Sequence, residues 1–273
     1  MNKHIVITIR YSLYAPEMRK SWVIGRDSEE DYKRELFSSE RMSKRQSFFE
    51  KITLKSLIEL NKNKPENVTL KVFLLTSNLL PKKNSDFLIE ITKENKFLEV
   101  LALDQSNADV RSGLNEYVNS LDDQDIYASV RLDDDDALSP NFAKQMDHYL
   151  QPGFSGCVIS FARGYGALLD ESGNIKKLAD YKWRFGSAGL AYISRKGKSV
   201  RTGRYSIYQC GNHIKTDDKI PTVSDGRSPA FIRAFHSEND SKDSFEKCVG
   251  KIFQPEEANN FLKEFGINSV LSV

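Results

Sequence analysis

Apolar and polar positions fall along the chain in blocks that alternate between strand and helix spacing. Residues 4–10, His-Ile-Val-Ile-Thr-Ile-Arg, form a β-branched run that predicts a buried strand. A long polar stretch follows, with Tyr11, Tyr14, Trp22, Tyr32 and Phe37 scattered through it. The spacing of Phe48, Phe49, Ile52, Leu57 and Ile58 then predicts a helix over 44–61, ended by Asn61-Lys62-Asn63-Lys64-Pro65. Strands are predicted at 69–76, stopping at Ser77-Asn78, and at 97–103, stopping at Asp104. A helix at 109–121 precedes a further strand at 126–132, which runs straight into Asp133, Asp134, Asp135 and Asp136. Beyond them Ser139 is a plausible N-cap for a helix over 140–150, and strands are expected at 156–163 and 188–194. Asp170-Glu171-Ser172-Gly173-Asn174 has the composition of a hairpin turn. The tail from about 241 has an amphipathic helical pattern through Phe245, Val249, Ile252, Phe253, Phe261, Leu262 and Phe265.

Strands alternating with helices imply an α/β fold, a parallel sheet covered on both faces. In such sheets ligands bind at the carboxyl ends of the strands. Arg10, Ser77, Asp104 and Asp133 all sit at predicted carboxyl ends. Composition narrows the class further. With 273 residues, 39% hydrophobic and 11% aromatic, the chain can bury a substantial core. Forty basic residues nearly cancel thirty-eight acidic ones, to give a formal charge of +2, so nucleic-acid binding is not expected as the main activity. Cys157, Cys210 and Cys248 show neither a disulfide framework nor zinc spacing, which makes a reducing, cytoplasmic setting the expectation. The N-terminus reads as a core strand rather than a signal peptide, and no apolar run reaches the ~20 residues that span a bilayer. A soluble protein, or one peripheral to the inner face of a membrane, is expected.

Four consecutive carboxylates repel one another, so a fold that orders them needs a compensating cation. Hard divalent ions, Mn²⁺ or Mg²⁺, prefer such oxygen ligands and commonly keep substrate phosphates in their shell. An arbitrary acidic cluster is more often a solvated turn. Here an apolar strand precedes the run and Ala137-Leu138-Ser139-Pro140 starts a helix after it, which favours a site. An EF-hand fails for want of a glycine at the sixth position and a closing glutamate. A prenyl-synthase-type Asp-Asp-x-x-Asp belongs on a helix of an all-α chain. An Asp-x-Asp phosphotransferase or nucleotidyltransferase site stays open, as does a non-catalytic carbohydrate-binding subunit.

The Leu-Asp-x-Asp-Asp-x-Leu-Ser-Pro-x-Phe pattern at 132–142 resembles the metal-binding segment of GT-A glycosyltransferases. More narrowly, the chain resembles the bacterial putative rhamnosyltransferase family. Three other blocks carry this: Thr8-Ile9-Arg10-Tyr11-Ser12, residues 36–57 from Leu36-Phe37-Ser38-Ser39-Glu40-Arg41-Met42 onward, and Phe231-Ile232-Arg233-Ala234-Phe235-His236-Ser237-Glu238-Asn239. Lys55 and Glu59 depart from the pattern, standing where Pro and Gln are expected.

The resemblance implies a GT-A fold, Rossmann-like in its nucleotide-binding half. On this reading, residues 1–139 bind a nucleotide sugar, 140–240 face the acceptor, and 241–273 form a C-terminal helical tail. It further implies a nucleotide-sugar donor and a polysaccharide or lipid-linked glycan acceptor. Asp133 would approach the donor ribose and the metal. Asp135 would be the principal metal ligand, with Asp134 or Asp136 assisting and His236 completing the shell; His213 competes for that last place. Arg10, Ser12 and Arg111 are candidates for the nucleotide and diphosphate, because guanidinium forks match phosphate oxygens.

An inverting enzyme also needs a base. Asp217 and Asp218 are the candidates, with Asp225 third. Tyr181, Trp183 and Phe185 could stack on an acceptor sugar or pack in the core. The basic loop 196–204, with Lys196, Lys198, Arg201 and Arg204, could close over a diphosphate or be an exposed charged hairpin.

Overall fold

The computed structural model describes residues 1–21, 23–26, 28–196, 204–239 and 244–267. Lys198 and Arg201 of the basic loop therefore lie outside the described residues. Its flanks, Lys196 and Arg204, bond the backbone carbonyls of Asn119, Leu121 and Gln209.

The β-branched runs form the centre of a seven-stranded sheet. Strands β1 (Lys3–Arg10), β2 (Val68–Ser77), β3 (Leu98–Leu103) and β4 (Ile126–Asp133) pair in parallel, with β1 between β2 and β4. Both faces of β1 and β4 are buried, which is why these strands read as nearly continuous apolar runs. The short β5 (Ala137–Leu138) follows the aspartates. The predicted strand over 156–163 is split at Ala162. Its first part, β6 (Val158–Phe161), stays in the large sheet, and its continuation, β7 (Arg163–Leu169), crosses into a second sheet. The strand β8 (Ile175–Lys182), which the polar alternation of its sequence concealed, closes a hairpin with β7 around the expected 170–174 turn. Next, β9 (Ala191–Arg195) runs antiparallel to β4 and β6, and β10 (Thr222–Asp225) pairs with β6. Finally, β11 (Phe231–Phe235) joins the second sheet, in the order β5-β11-β7-β8.

Helix α1 (Glu29–Leu36) lies within the polar stretch after β1, where Tyr14, Tyr32 and Leu36 form a small core of their own. The helix predicted over 44–61 is longer. It starts as α2 (Ser39–Phe48), passes through a π turn at Phe49–Leu54, and continues as α3 (Lys55–Asn63). Its early start is fixed by Ser38, whose side chain accepts a hydrogen bond from Arg41 N–H. Such π turns are found mostly at functional sites. Helix α4 (Lys82–Glu94) provides the crossover from β2 to β3, and α5 (Ser112–Ser120) leads into β4. After β5, α6 (Phe142–Asp147) follows Asn141 rather than Ser139 as its N-cap, and Ser139 Oγ accepts from Asn141 N–H instead.

The tail is helical at α7 (Phe245–Cys248) and α8 (Pro255–Glu264). Between them, Gly250, Lys251 and Phe253 make backbone hydrogen bonds to β8, so Val249 and Ile252 belong to an extended segment. Helix α8 buries Ala258 and Leu262 against the second sheet, and Phe261 stacks on Tyr165 of β7 at 5.0 Å. Among the described residues no helix is long and apolar enough to cross a membrane.

Leu262 is fully buried in this second core. Leu262→Ala is expected to destabilise the fold by about 2–5 kcal/mol. Urea unfolding would measure it, and a loss within experimental error would mean that the tail is not integral to the domain.

Candidate functional site: an arginine-lined cleft at an acidic strand end

The strand order 3-2-1-4 reverses direction between β1 and β4, where open α/β sheets bind their ligands. The register sets Arg10 opposite Asp133 at the carboxyl ends of these two strands. A cleft of 660 Å³ opens here, within the range of ~300–1,000 Å³ common for ligand sites. It is lined by Arg10, Ser12, Arg41, Arg45, Arg131 and Arg233, by all four aspartates, and by Trp183, Tyr208, His213 and Asn239.

The four aspartates have four different environments. Asp133 is the most open, its side chain 28% exposed, and it accepts from Arg10 and Arg131 at 3.3 Å. Burial alone would raise its pKa, but these two guanidinium groups outweigh it and hold the carboxyl well below the usual range. Asp134 is almost fully buried, and Arg45 reaches both of its oxygens. Asp135 accepts from Arg45 Nη1 at 3.0 Å and from His236 Nε2 at 2.9 Å. Its acidity is likewise raised against burial, chiefly by Arg45. Asp136 accepts the Ala234 N–H at 3.0 Å, and no cation among the described residues is bonded to it. Burial, together with the carboxylates of Asp135 and Asp133, pushes its pKa well up.

One helix organises this set. On α2 and its π continuation, Arg41, Arg45, Phe48 and Ile52 recur at spacings of three and four, one face of a helix. Arg41 donates to Ser12 Oγ at 3.3 Å, and Ser12 itself holds a left-handed backbone with φ 47°. Phe48 stacks on the His236 ring at 4.2 Å. Further along, Ser56 Oγ accepts the Leu138 N–H, tying α3 to β5. The antiparallel pairing of β5 with β11 then brings His236 from the far end of the chain to Asp135. His236 Nδ1 accepts the Glu238 N–H at 3.2 Å, which leaves Nε2 facing Asp135, with Asn239 Nδ2 also 3.2 Å from it.

The residues singled out in the sequence do not all meet. Arg10, Ser12, Asp133, Asp134 and Asp135 line the cleft, and His236 is buried behind Asp135. Arg111 instead stands before α5 in a two-pronged ion pair with Asp109, outside the cleft wall. Asp217 and Asp218 are exposed on the turn after Lys215, also outside that wall, while the neighbouring Thr216 faces it. Asp225 is bound by Arg227 and Tyr149 on β10. Of the aromatic stretch, Trp183 lines the cleft with Arg233 lying over its ring at 4.2 Å, and Tyr181 is buried against Phe231 and Phe235.

Arg41 lies before the helix predicted over 44–61, and nothing local ties Arg45 to aspartates ninety residues away. Arg131 and Arg233 were likewise legible only as charges flanking apolar positions.

Arg45 is the counter-charge of the buried Asp134, whose side chain is 2% exposed. Arg45→Met is expected to cost about 3–5 kcal/mol, because it strands a buried carboxylate. The double variant R45M/D134L should recover part of that loss. Chemical denaturation of the three proteins measures both effects, and additive losses would refute the pairing.

Among curated proteins, none matches this chain. A family model does, over residues 4–248, and its family is described as putative rhamnosyl transferase. The match runs from the first strand through α7 and takes in every cleft residue named above. The chain belongs to that family of glycosyltransferases.

Proposed function

We propose that this protein transfers a sugar of the rhamnose type from a nucleoside-diphosphate donor to a hydroxyl of a glycan or lipid-linked glycan, on the cytoplasmic side. The observation that carries the reading is the division of labour at the strand end. All four aspartates line the cleft beside Arg10, Arg41, Arg45 and Arg131, but Asp134 is taken up by Arg45 and Asp136 by the Ala234 N–H, so the more open Asp133 and the His236-paired Asp135 are the two that bear on a ligand. Carboxylates suit a ribose hydroxyl or a cation, and clustered guanidinium groups suit a diphosphate.

The donor set fits a divalent ion, Mn²⁺ or Mg²⁺. Asp135 Oδ2 and His236 Nε2 lie 2.9 Å apart, close to the ~3 Å between neighbouring ligands of an octahedral ion with bonds of ~2.1 Å. Ligation would take the place of the contact that His236 now makes with Asp135. Among the described residues no three acidic, imidazole or thiolate groups converge on one point. The protein half of the shell is therefore small, as suits an ion that keeps phosphate and water ligands. Bound there, such an ion supplies neutralisation of the leaving diphosphate.

The remaining work falls to the chain itself. Arg10 and Arg131 fix Asp133 for the donor, and Arg41, held near Ser12, adds a positive wall for the phosphates. Trp183 and Arg233 form the flat, polar-edged surface expected of an acceptor sugar subsite.

Calorimetric titration of nucleoside diphosphates is expected to show tighter binding with Mn²⁺ than without it. Asp135→Ala should remove that gain and leave a weak, metal-insensitive affinity from the arginines. An unchanged Mn²⁺ effect in the variant would contradict the role of Asp135. Mass spectrometry of reactions with a panel of nucleotide sugars should find the sugar moved. Transfer of a phosphoryl or nucleotidyl group instead would favour a phosphotransferase.

A further inference from the structure

The histidine that lines the cleft is His213, and its setting differs from that of the buried His236. His213 begins a short helical turn, His213–Lys215, between β9 and β10. Its Nδ1 lies 2.5 Å from the carbonyl oxygen of Phe185. A carbonyl can only accept, so Nδ1 carries the ring proton and Nε2 of the neutral ring carries a lone pair. No described residue forms a hydrogen bond to that Nε2, and the ring lines the same cleft as Asp133.

The orienting carbonyl is itself held by the fold. Phe185 has φ 58°, a left-handed conformation unusual for an aromatic residue. Its N–H donates to the buried Ser160 Oγ at 2.9 Å. Such conformations are costly and persist where the surroundings impose them, often at active sites. The His213 ring also meets Trp183 edge-on, with centroids 6.3 Å apart, and Trp183 carries Arg233 on its face. The lone pair therefore belongs to the part of the cleft assigned above to the acceptor.

The competing groups are occupied or displaced. Asp217 and Asp218 face solvent outside the cleft wall, and Asp225 is tied to Arg227 and Tyr149. Asp133, Asp134 and Asp135 are engaged by arginines, Asp136 is only 4% exposed and takes the Ala234 N–H, and Glu238 pairs with Lys44 at 3.6 Å. Burial lowers the pKa of the His213 ring, partly opposed by the bond to Phe185, so the ring is neutral near pH 7. The charged groups that face it are Arg131 and Asp133 from β4 and Arg233 from β11.

We propose that His213 is the general base of the transfer, its Nε2 taking the proton of the acceptor hydroxyl. This rests on the glycosyltransferase reading above. As the acceptor oxygen bonds to C1 of the sugar, its O–H proton passes to Nε2. The bond between C1 and the diphosphate oxygen breaks, and the nucleoside diphosphate leaves with the bonding electrons. The imidazolium then returns its proton to water. Attack from the face opposite the leaving group makes the enzyme inverting, and a neutral His base makes the rate fall as pH drops through the His213 pKa.

The test uses the full chain with a nucleoside-diphosphate rhamnose, Mn²⁺ and a set of alkyl rhamnosides and glucosides as acceptors. His213→Asn keeps an N–H able to bond Phe185 but has no base. It should lower kcat by about 10²–10⁴-fold, flatten the acid limb of the pH profile, and leave the calorimetric affinity for the nucleoside diphosphate unchanged. His213→Ala should regain activity with added imidazole, which a purely structural loss would not, and NMR of the wild-type product should show inversion at C1. The assignment is overturned if H213N keeps more than about a tenth of wild-type kcat, if imidazole gives no rescue while the nucleotide still binds, or if configuration is retained. A wild-type chain that transfers no sugar from any donor removes the glycosyltransferase reading itself, and the base with it. Normal wild-type transfer with an active H213N removes the base alone.

Discussion

The guanidinium of Arg45 sits between two neighbouring carboxylates, and the architecture of the cleft depends on that contact. Four aspartates in succession at the end of a buried strand would repel one another and be drawn out into water. Arg45 bonds both Asp134 and Asp135, and so holds the first almost fully buried and fixes the second beside His236. At 3.0 Å the attraction to Asp135 is on the order of 5 kcal/mol for an effective dielectric near 20, before the cost of desolvating both groups. Among the described residues no cation bonds Asp136, which takes the Ala234 N–H, and burial beside Asp135 and Asp133 drives it towards its neutral form. All four carboxylates line the cleft, but each has its own environment.

The same contact links distant parts of the chain. Arg45 is carried by α2, whose π continuation adds a residue to the turn while Phe48 keeps its stack on His236 and Ser56 its bond to β5. β5 in turn positions β11, and β11 delivers Arg233 and His236. Helix, acidic loop and late strand therefore form one unit on the carboxyl ends of β1 and β4.

Much of this was legible in the sequence where the signal is local. The apolar runs marked β1, β2, β3 and β4 to within a residue or two, and burial on both faces of β1 and β4 leaves those two with few polar interruptions. The placement of Arg10 and Asp133 at strand ends followed from the same pattern. The amphipathic β8 lacked such a run, and the extended stretch after α7 mimicked helix spacing, since its apolar side chains dock on a sheet rather than along a helix face. The pairing of Arg45 with aspartates some ninety positions later has no local signature. Neither has the orientation of His213, which depends on the carbonyl of Phe185 and a backbone angle. The family resemblance supplied the late histidine, His236, which periodicity alone would have left as an unremarkable strand-end residue.

The central claim is that the cleft face of the acidic run holds a divalent ion and the donor diphosphate together. Diffraction from crystals grown with Mn²⁺ and a nucleoside diphosphate tests it most directly, through the anomalous signal of manganese. The account predicts one peak within bonding distance of Asp135, bridged to the diphosphate, with Arg10, Arg41 or Arg131 against its oxygens. A nucleotide bound elsewhere, or manganese absent from Asp135 while the diphosphate occupies the cleft, would contradict it.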